Sequence, residues 1–296
     1  MPMNHEITFP QDLTAFLEWI KVTTETYYSN LPPEAAMHGA KWLPLTDIQI
    51  DGLEEKYAIH FDVEHRAFLK VLHTLDKNYE EEKYEEETWE EERVLTPEEQ
   101  AKCDFWHPPY RPSLFYNWIT EPEWIASRLA WIEDRFITDI LGVNGSWLKS
   151  WGPCPDADEE KISIFKAWYE KAPRFLPLTA HTFLMADAGY GLKPVLSVWG
   201  FDTAIQGWSL RHYLLREFGD ELGLMHVVHD YDEESDYTYV YKELNRGIPE
   251  LEALQTIKLN DAVIHHWKEV VVYYCYPFDR KCWQGFWVEP DYPIKP

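Results

Sequence analysis

The residues best suited by type to chemistry are histidines placed near carboxylates. His226 and His229 are followed by Asp230 and Asp232, an imidazole and carboxylate set of the kind that holds a zinc-type ion. Two side chains three residues apart converge on a helix but point to opposite faces of a strand. The Val and Tyr residues around this pair favour a strand, so shared ligation of one ion is not expected. His265 and His266 are adjacent and diverge even on a helix. His181 and Asp202 fall on segments that read as neighbouring strands, an arrangement that would suit proton transfer. No Gly-x-Ser-x-Gly and no phosphate-cradling glycine loop accompanies them, and an Asp in a turn commonly bonds its own local amides. The expectation is a protein with no catalytic residues, no cofactor and no metal.

Bulk charge narrows the classes further. Asp and Glu number 52 against 27 Lys and Arg, a net charge of −25 with neutral His. Such a field repels nucleic-acid phosphates and anionic lipid and attracts cationic surfaces, so direct nucleic-acid binding is not expected and a basic protein partner is. Aromatic residues make up 16 % of the 296 positions; large rings serve cores and interfaces alike. Four cysteines (Cys103, Cys154, Cys275, Cys282) form no close pair, which suits a reducing compartment. The N-terminal MPMNHEITFPQDLTAF has no basic-then-apolar leader, and no apolar run reaches membrane-spanning length. The reading is a soluble cytoplasmic protein with no membrane partner.

The elements follow from spacing. Asp12 ahead of Leu13, Phe16, Leu17 and Ile20 predicts a capped helix that stops near Ser29–Pro33. A second helix carries Ile50, Leu53 and Tyr57, and a third starts after Asp62 with Phe68, Leu69, Leu72 and Leu75. Residues 79–93 hold nine Glu with Tyr79, Tyr84 and Trp89 at a five-residue step, which scatters the rings around a helix instead of aligning them. This segment is expected to be an exposed acidic insertion. Thr120-Glu-Pro-Glu123 reads as a capping box opening a helix through Trp124, Arg128, Ile132 and Phe136. Residues 142–156 read as turns around a short strand, and a further helix runs from Asp156 through Phe165 and Tyr169.

From Phe175 the grammar becomes that of strands, near 176–186, 194–199 and 203–206, followed by a helix with Leu210, Leu214 and Phe218 on one face. "HVVHDYDEESDYTYVYKEL" suggests a hairpin with Tyr237, Tyr239 and Tyr241 on one face. Residues 263–276 keep helical spacing, although "VVVYYCY" could equally be a strand. Strands followed by a covering helix give an α+β fold with a central, mainly antiparallel sheet.

The stretch 193–219 resembles the SUKH superfamily, which contains fungal cell-wall-assembly regulators and many bacterial immunity proteins. The resemblance is closest to its larger bacterial members. Pro194, Val195, Ser197, Val198, Asp202, Gly207, Leu210, Tyr213, Leu214, Glu217 and Phe218 match that pattern in register. Residues 53–72 are similar through Glu54, Phe61, His65, Arg66 and Leu69, residues 144–155 through Trp147, Leu148, Trp151 and Gly152, and residues 172–184 through His181. The family's Tyr pair is Ile205-Gln206 here, the Arg after its His is Thr182, and the Arg of its Trp-Gly element is Cys154. The resemblance implies one SUKH-like domain over 1–296, with a core at about 45–218, the insertion 79–93, other helical insertions and a C-terminal extension 219–296.

For function the resemblance implies a non-enzymatic protein-binding module of the immunity type, neutralising a basic toxin, with nuclease-type toxins among the candidates. A regulatory scaffold of the cell-wall-assembly-regulator type is the alternative, with an aromatic-lined carbohydrate or peptide binder behind it. The partner-binding residues expected on the surface are Asp202, Gln206 and Trp208 near the central turn, Glu80, Glu85 and Glu90 in the insertion, and Asp230 and Asp232 in the distal hairpin.

Overall fold

A computed structural model describes residues 9–77, 96, 114–143, 145–186, 193–232, 237–244, 248, 250–251, 264 and 266–275. In chain order the elements are α1 (Leu13–Ser29), β1 (Trp42–Leu43), α2 (Asp47–Tyr57), α3 (Val63–Leu72), β2 (Thr74–Leu75), α4 (Pro122–Leu141) and α5 (Asp158–Tyr169). They continue with β3 (Phe175–Thr179), β4 (Thr182–Met185), β5 (Val195–Trp199), β6 (Asp202–Gly207), α6 (Leu210–Glu217), β7 (Met225–Asp232), β8 (Tyr237–Leu244) and α7 (Lys268–Cys275). The fold is α+β, and no helix among the described residues is long and apolar enough to cross a membrane.

Helix starts follow local chemistry where a side chain can reach an orphan amide. The Asp12 carboxylate accepts from the Ala15 N–H at 2.9 Å and the Asp62 carboxylate from the His65 N–H at 2.9 Å. Thr46 and Gln49 complete a reciprocal capping box at α2. The box expected at Thr120–Glu123 does not form. Pro122 takes the first helical position instead, and Glu121 turns back to accept from the Asn117 N–H at 2.8 Å. Asn117 in turn accepts from the amides of Ile119 and Thr120. A tight turn therefore uses the groups that the box would have needed.

The central sheet has the order β3-β4-β5-β6, antiparallel throughout. The run 176–186 is not one strand. Its middle folds over Ala180, at φ 40°, and His181 into a tight hairpin. Neither residue is the Gly, Asn or Asp that such turns favour; pairing of Phe175 and Leu176 with Met185 and Leu184 imposes the turn. The short strand expected within 142–156 is instead a single 3₁₀ turn at Lys149–Trp151, closed by Gly152 at φ 82°. Residues 268–275 settle as the helix α7.

Helices cover both faces of the sheet. Leu176, Leu178, Leu184 and Val195 face a layer built from α1, α2, α3 and α6, with Leu210, Leu214 and Phe218 buried there as expected. Phe175, Phe183, Met185, Leu196 and Val198 face the opposite layer, built from α4, α5 and α7. The period-2 alternation of each strand thus serves two separate cores. Trp147 is buried, whereas Trp151 and Trp199 are half-buried, a smaller enclosure than their size suggests.

The β5–β6 turn is held by Gly200 at φ 63°, with Asp139 of α4 accepting from the Phe201 N–H at 2.8 Å. A Cβ at Gly200 would come within 2.0 Å of that carboxylate. Gly200→Ala should therefore both strain the backbone and displace the Asp139 bond, costing about 2 kcal/mol or more. Urea unfolding would measure the loss; unchanged stability would contradict this account of the turn.

Candidate functional site

The hairpin β7–β8 is a two-stranded ribbon whose register runs from Met225 opposite Leu244 to Asp232 opposite Tyr237. That register places His226, Val228 and Asp230 on one face together with Tyr237, Tyr239, Tyr241 and Glu243. The opposite face carries Val227, His229 and Tyr231 with Val240 and Lys242. His226 and His229 are therefore on different faces, as strand geometry requires.

Apolar exposure concentrates on this ribbon. Tyr237, Tyr239 and Tyr241 are 58 %, 49 % and 41 % exposed, and Val227, Tyr231 and Val240 are exposed as well. Clustered exposed rings beside polar groups mark interaction surfaces more often than scattered ones do. The rings of Tyr237 and Tyr239 meet edge to face, 4.9 Å apart. Tyr241's phenol is raised by partial desolvation and then by the carboxylates of Glu243 and Asp230, so both charges bear on its ring. No Lys or Arg among the described residues lies on this face. On the other face Lys242 is held 2.6 Å from Asp220, which moors the ribbon to the turn after α6. Beside that turn, Glu221 is raised by burial and accepts a hydrogen bond from the Tyr28 hydroxyl at 3.4 Å.

The other expected residues separate. Asp202 is exposed at the start of β6, and Gln206 is half-buried, its carbonyl accepting from Arg216. Trp208 is not a surface residue. It is fully buried in the core against α4, α5 and α7, and its backbone N–H donates to His212 Nδ1 at 3.1 Å. The large apolar indole at the end of β6 gains more from that core than from water. Asp230 is exposed on the tyrosine face. The side chain of Asp232 and all of Glu80, Glu85 and Glu90 lie outside the described residues, as does the whole insertion 79–93. Glu243 was not singled out by sequence reasoning; only the pairing register places it beside Tyr241.

His181 and Asp202 do not form a proton-transfer pair. β4 and β6 flank β5 on opposite sides, which separates the two positions by roughly 10 Å. The His181 ring instead meets Trp199 edge-on at 5.6 Å and is lowered by burial and by Arg128.

Around it runs a ladder of cations and indoles. Arg128 lies 4.1 Å from the Trp131 ring, while Arg135 lies 4.0 Å from Trp131 and 4.3 Å from Trp199. Arg128 Nε donates to the Tyr116 hydroxyl at 2.8 Å, which donates to the Ala180 carbonyl, and Trp131 Nε1 donates to the Val198 carbonyl. Burial, then Arg128, lowers Arg135 to about 10. These contacts join α4 to the sheet through Trp131, which is buried, and Trp199, which is half-buried.

No protein-family model, curated protein or solved structure matches the chain.

Proposed function

We propose that this protein acts in the cytoplasm by binding a basic protein partner, without transforming it, as an immunity-type module that neutralises a cationic toxin, nuclease-type toxins being one class that fits. The observation that carries this reading is the ribbon face on which exposed tyrosines and carboxylates stand together in a chain of net charge −25. A field of that sign accelerates encounter with a cationic surface, and the acceleration falls as salt screens it beyond about 8 Å. The resemblance to SUKH immunity proteins supports the same class of partner. The altered positions Ile205, Gln206, Thr182 and Cys154 leave the partner's identity to experiment.

The test is capture of partners from a lysate of the source organism at about 50 mM and about 500 mM salt. The expected result is a basic protein retained at low salt, largely released at high salt, and inhibited in its toxic activity by the complex. The variant His181→Ala should bind that protein as the parent does. Salt-indifferent capture would overturn the reading, as would turnover of a small molecule that His181→Ala abolishes.

A further inference from the structure

We infer that the partner is engaged as an extended basic segment that adds alongside β8 and lays alternate Arg or Lys side chains over Tyr237, Tyr239 and Tyr241. This rests on the basic-partner reading above and names the surface and the form of the segment.

Three observations converge on it. First, β8 pairs with β7 alone among the described residues, and none of these forms a strand on its outer row of N–H and C=O groups, the kind of edge to which a further strand can add. Second, the tyrosines recur at every second residue, an interval of about 6.6 Å that any extended peptide repeats in its own side chains. A strand added in register would set each alternate residue about 5 Å from a tyrosine Cβ, within reach of a guanidinium or ammonium lying over the ring. Third, the charge is complementary. Asp230 stands opposite Tyr239, Glu243 follows Tyr241 by two residues on the same face, and among the described residues of the ribbon no Lys or Arg shares that face with them. A second copy of the ribbon is disfavoured as the occupant, because it would bring together two chains that each carry a net charge of −25.

The probe is a peptide alternating Arg and Thr and matched to the 8 residues of β8, titrated into the full chain at about 50 mM and about 300 mM salt. Saturable binding is expected, weakened about tenfold by the higher salt and about tenfold by Tyr239→Ala with Tyr241→Ala. Asp230→Asn should weaken it too, while Tyr239→Phe with Tyr241→Phe, which keeps both rings, should retain most of it. Methylating the peptide's alternate backbone amides on the edge that would face β8 should abolish binding, since strand addition needs those donors. Circular dichroism of each variant establishes that it is folded, which exposed positions favour.

Equal affinity for the methylated peptide, or indifference to the tyrosine changes, would overturn the inference. So would a concentration-dependent dimer that Tyr239→Ala disrupts, because the ribbon would then be an interface between copies. If a salt-sensitive basic partner is captured but binds the tyrosine variants as tightly as the parent, the basic-partner reading stands and this surface falls. Failure of both peptide and lysate capture overturns both.

Discussion

Acidifying this protein from about pH 7 to about pH 5 should destabilise it steeply, because three histidines are buried in forms that cannot accept a proton. His65 is lowered to about 3 by burial, and His73 and His212 each to about 4, again chiefly by burial. The geometry shows why. His73 Nδ1 is bonded to the Leu43 carbonyl at 3.1 Å, so it carries the hydrogen, and Nε2 accepts from the Trp118 N–H at 2.9 Å. His212 Nδ1 accepts from the Trp208 N–H. His65 is enclosed by Phe61, Phe68 and Trp118, with neither ring nitrogen hydrogen-bonded. Protonation would set a donor against a donor in the first two and bury a bare cation in the third.

The sign follows from linkage. Below about 6.5 the unfolded chain binds protons that the native state refuses, so the stability these groups confer is full above that pH and is lost as pH falls towards 4. Each contributes about 1.4 kcal/mol per pH unit in that window, roughly 4 kcal/mol for the three. Against a typical total of about 5–15 kcal/mol, one or two units suffice to unfold the chain. Glu64, Glu217 and Glu221 are raised by burial and act in the opposite direction, tempering the loss as they take up protons. Urea titrations at several pH values would measure the slope, and His65→Leu should reduce it by about one third and raise stability at pH 5. Stability that is flat between pH 7 and pH 5 would contradict this.

Trp267→Ala should cost about 3–5 kcal/mol and lower the melting temperature by about 10 °C. The indole is fully buried, donates through Nε1 to the Pro173 carbonyl at 3.1 Å, and meets the rings of Phe136, Trp168, Tyr169 and Phe175. Removing it leaves a cavity between α5, β3 and α7 together with an unpaired carbonyl. Trp267 belongs to the region beyond 218, which the SUKH resemblance does not cover, so the variant also tests whether that region folds with the sheet. A loss below about 1 kcal/mol, comparable to an exposed control such as Ile48→Ala, would mean that α7 is only loosely docked. Trp199, half-buried beside Arg135 and His181, should be less sensitive.

Much of the fold was legible because several of its signals are local. Asp12 and Asp62 reach amides three residues on, and that reach needs no partner from elsewhere in the chain. The spacing of Leu210, Leu214 and Phe218 specified a buried face before it was known what would cover it. The alternation of Tyr237, Tyr239 and Tyr241 announced a ribbon with one aromatic face. Of the candidate site, Asp230 was legible by its place in that hairpin, whereas Glu243 was not, because only the pairing register brings it beside Tyr241.

By itself, then, the sequence determined the acid excess, the helix starts at Asp12 and Asp62, the strand grammar after Phe175 and the tyrosine row. Each of these depends on composition or on residues within a turn or a strand of one another. The tertiary structure alone decided the turn at Ala180-His181, the helical state of 268–275, the burial of Trp208 and the separation of His181 from Asp202. Those outcomes turn on long-range contacts, namely strand pairing across β3–β6 and the two apolar layers that close on the sheet. Ala-His has no turn preference of its own, "VVVYYCY" suits either a strand or a helix, and an indole beside a turn is driven inward only when a core stands ready to take it.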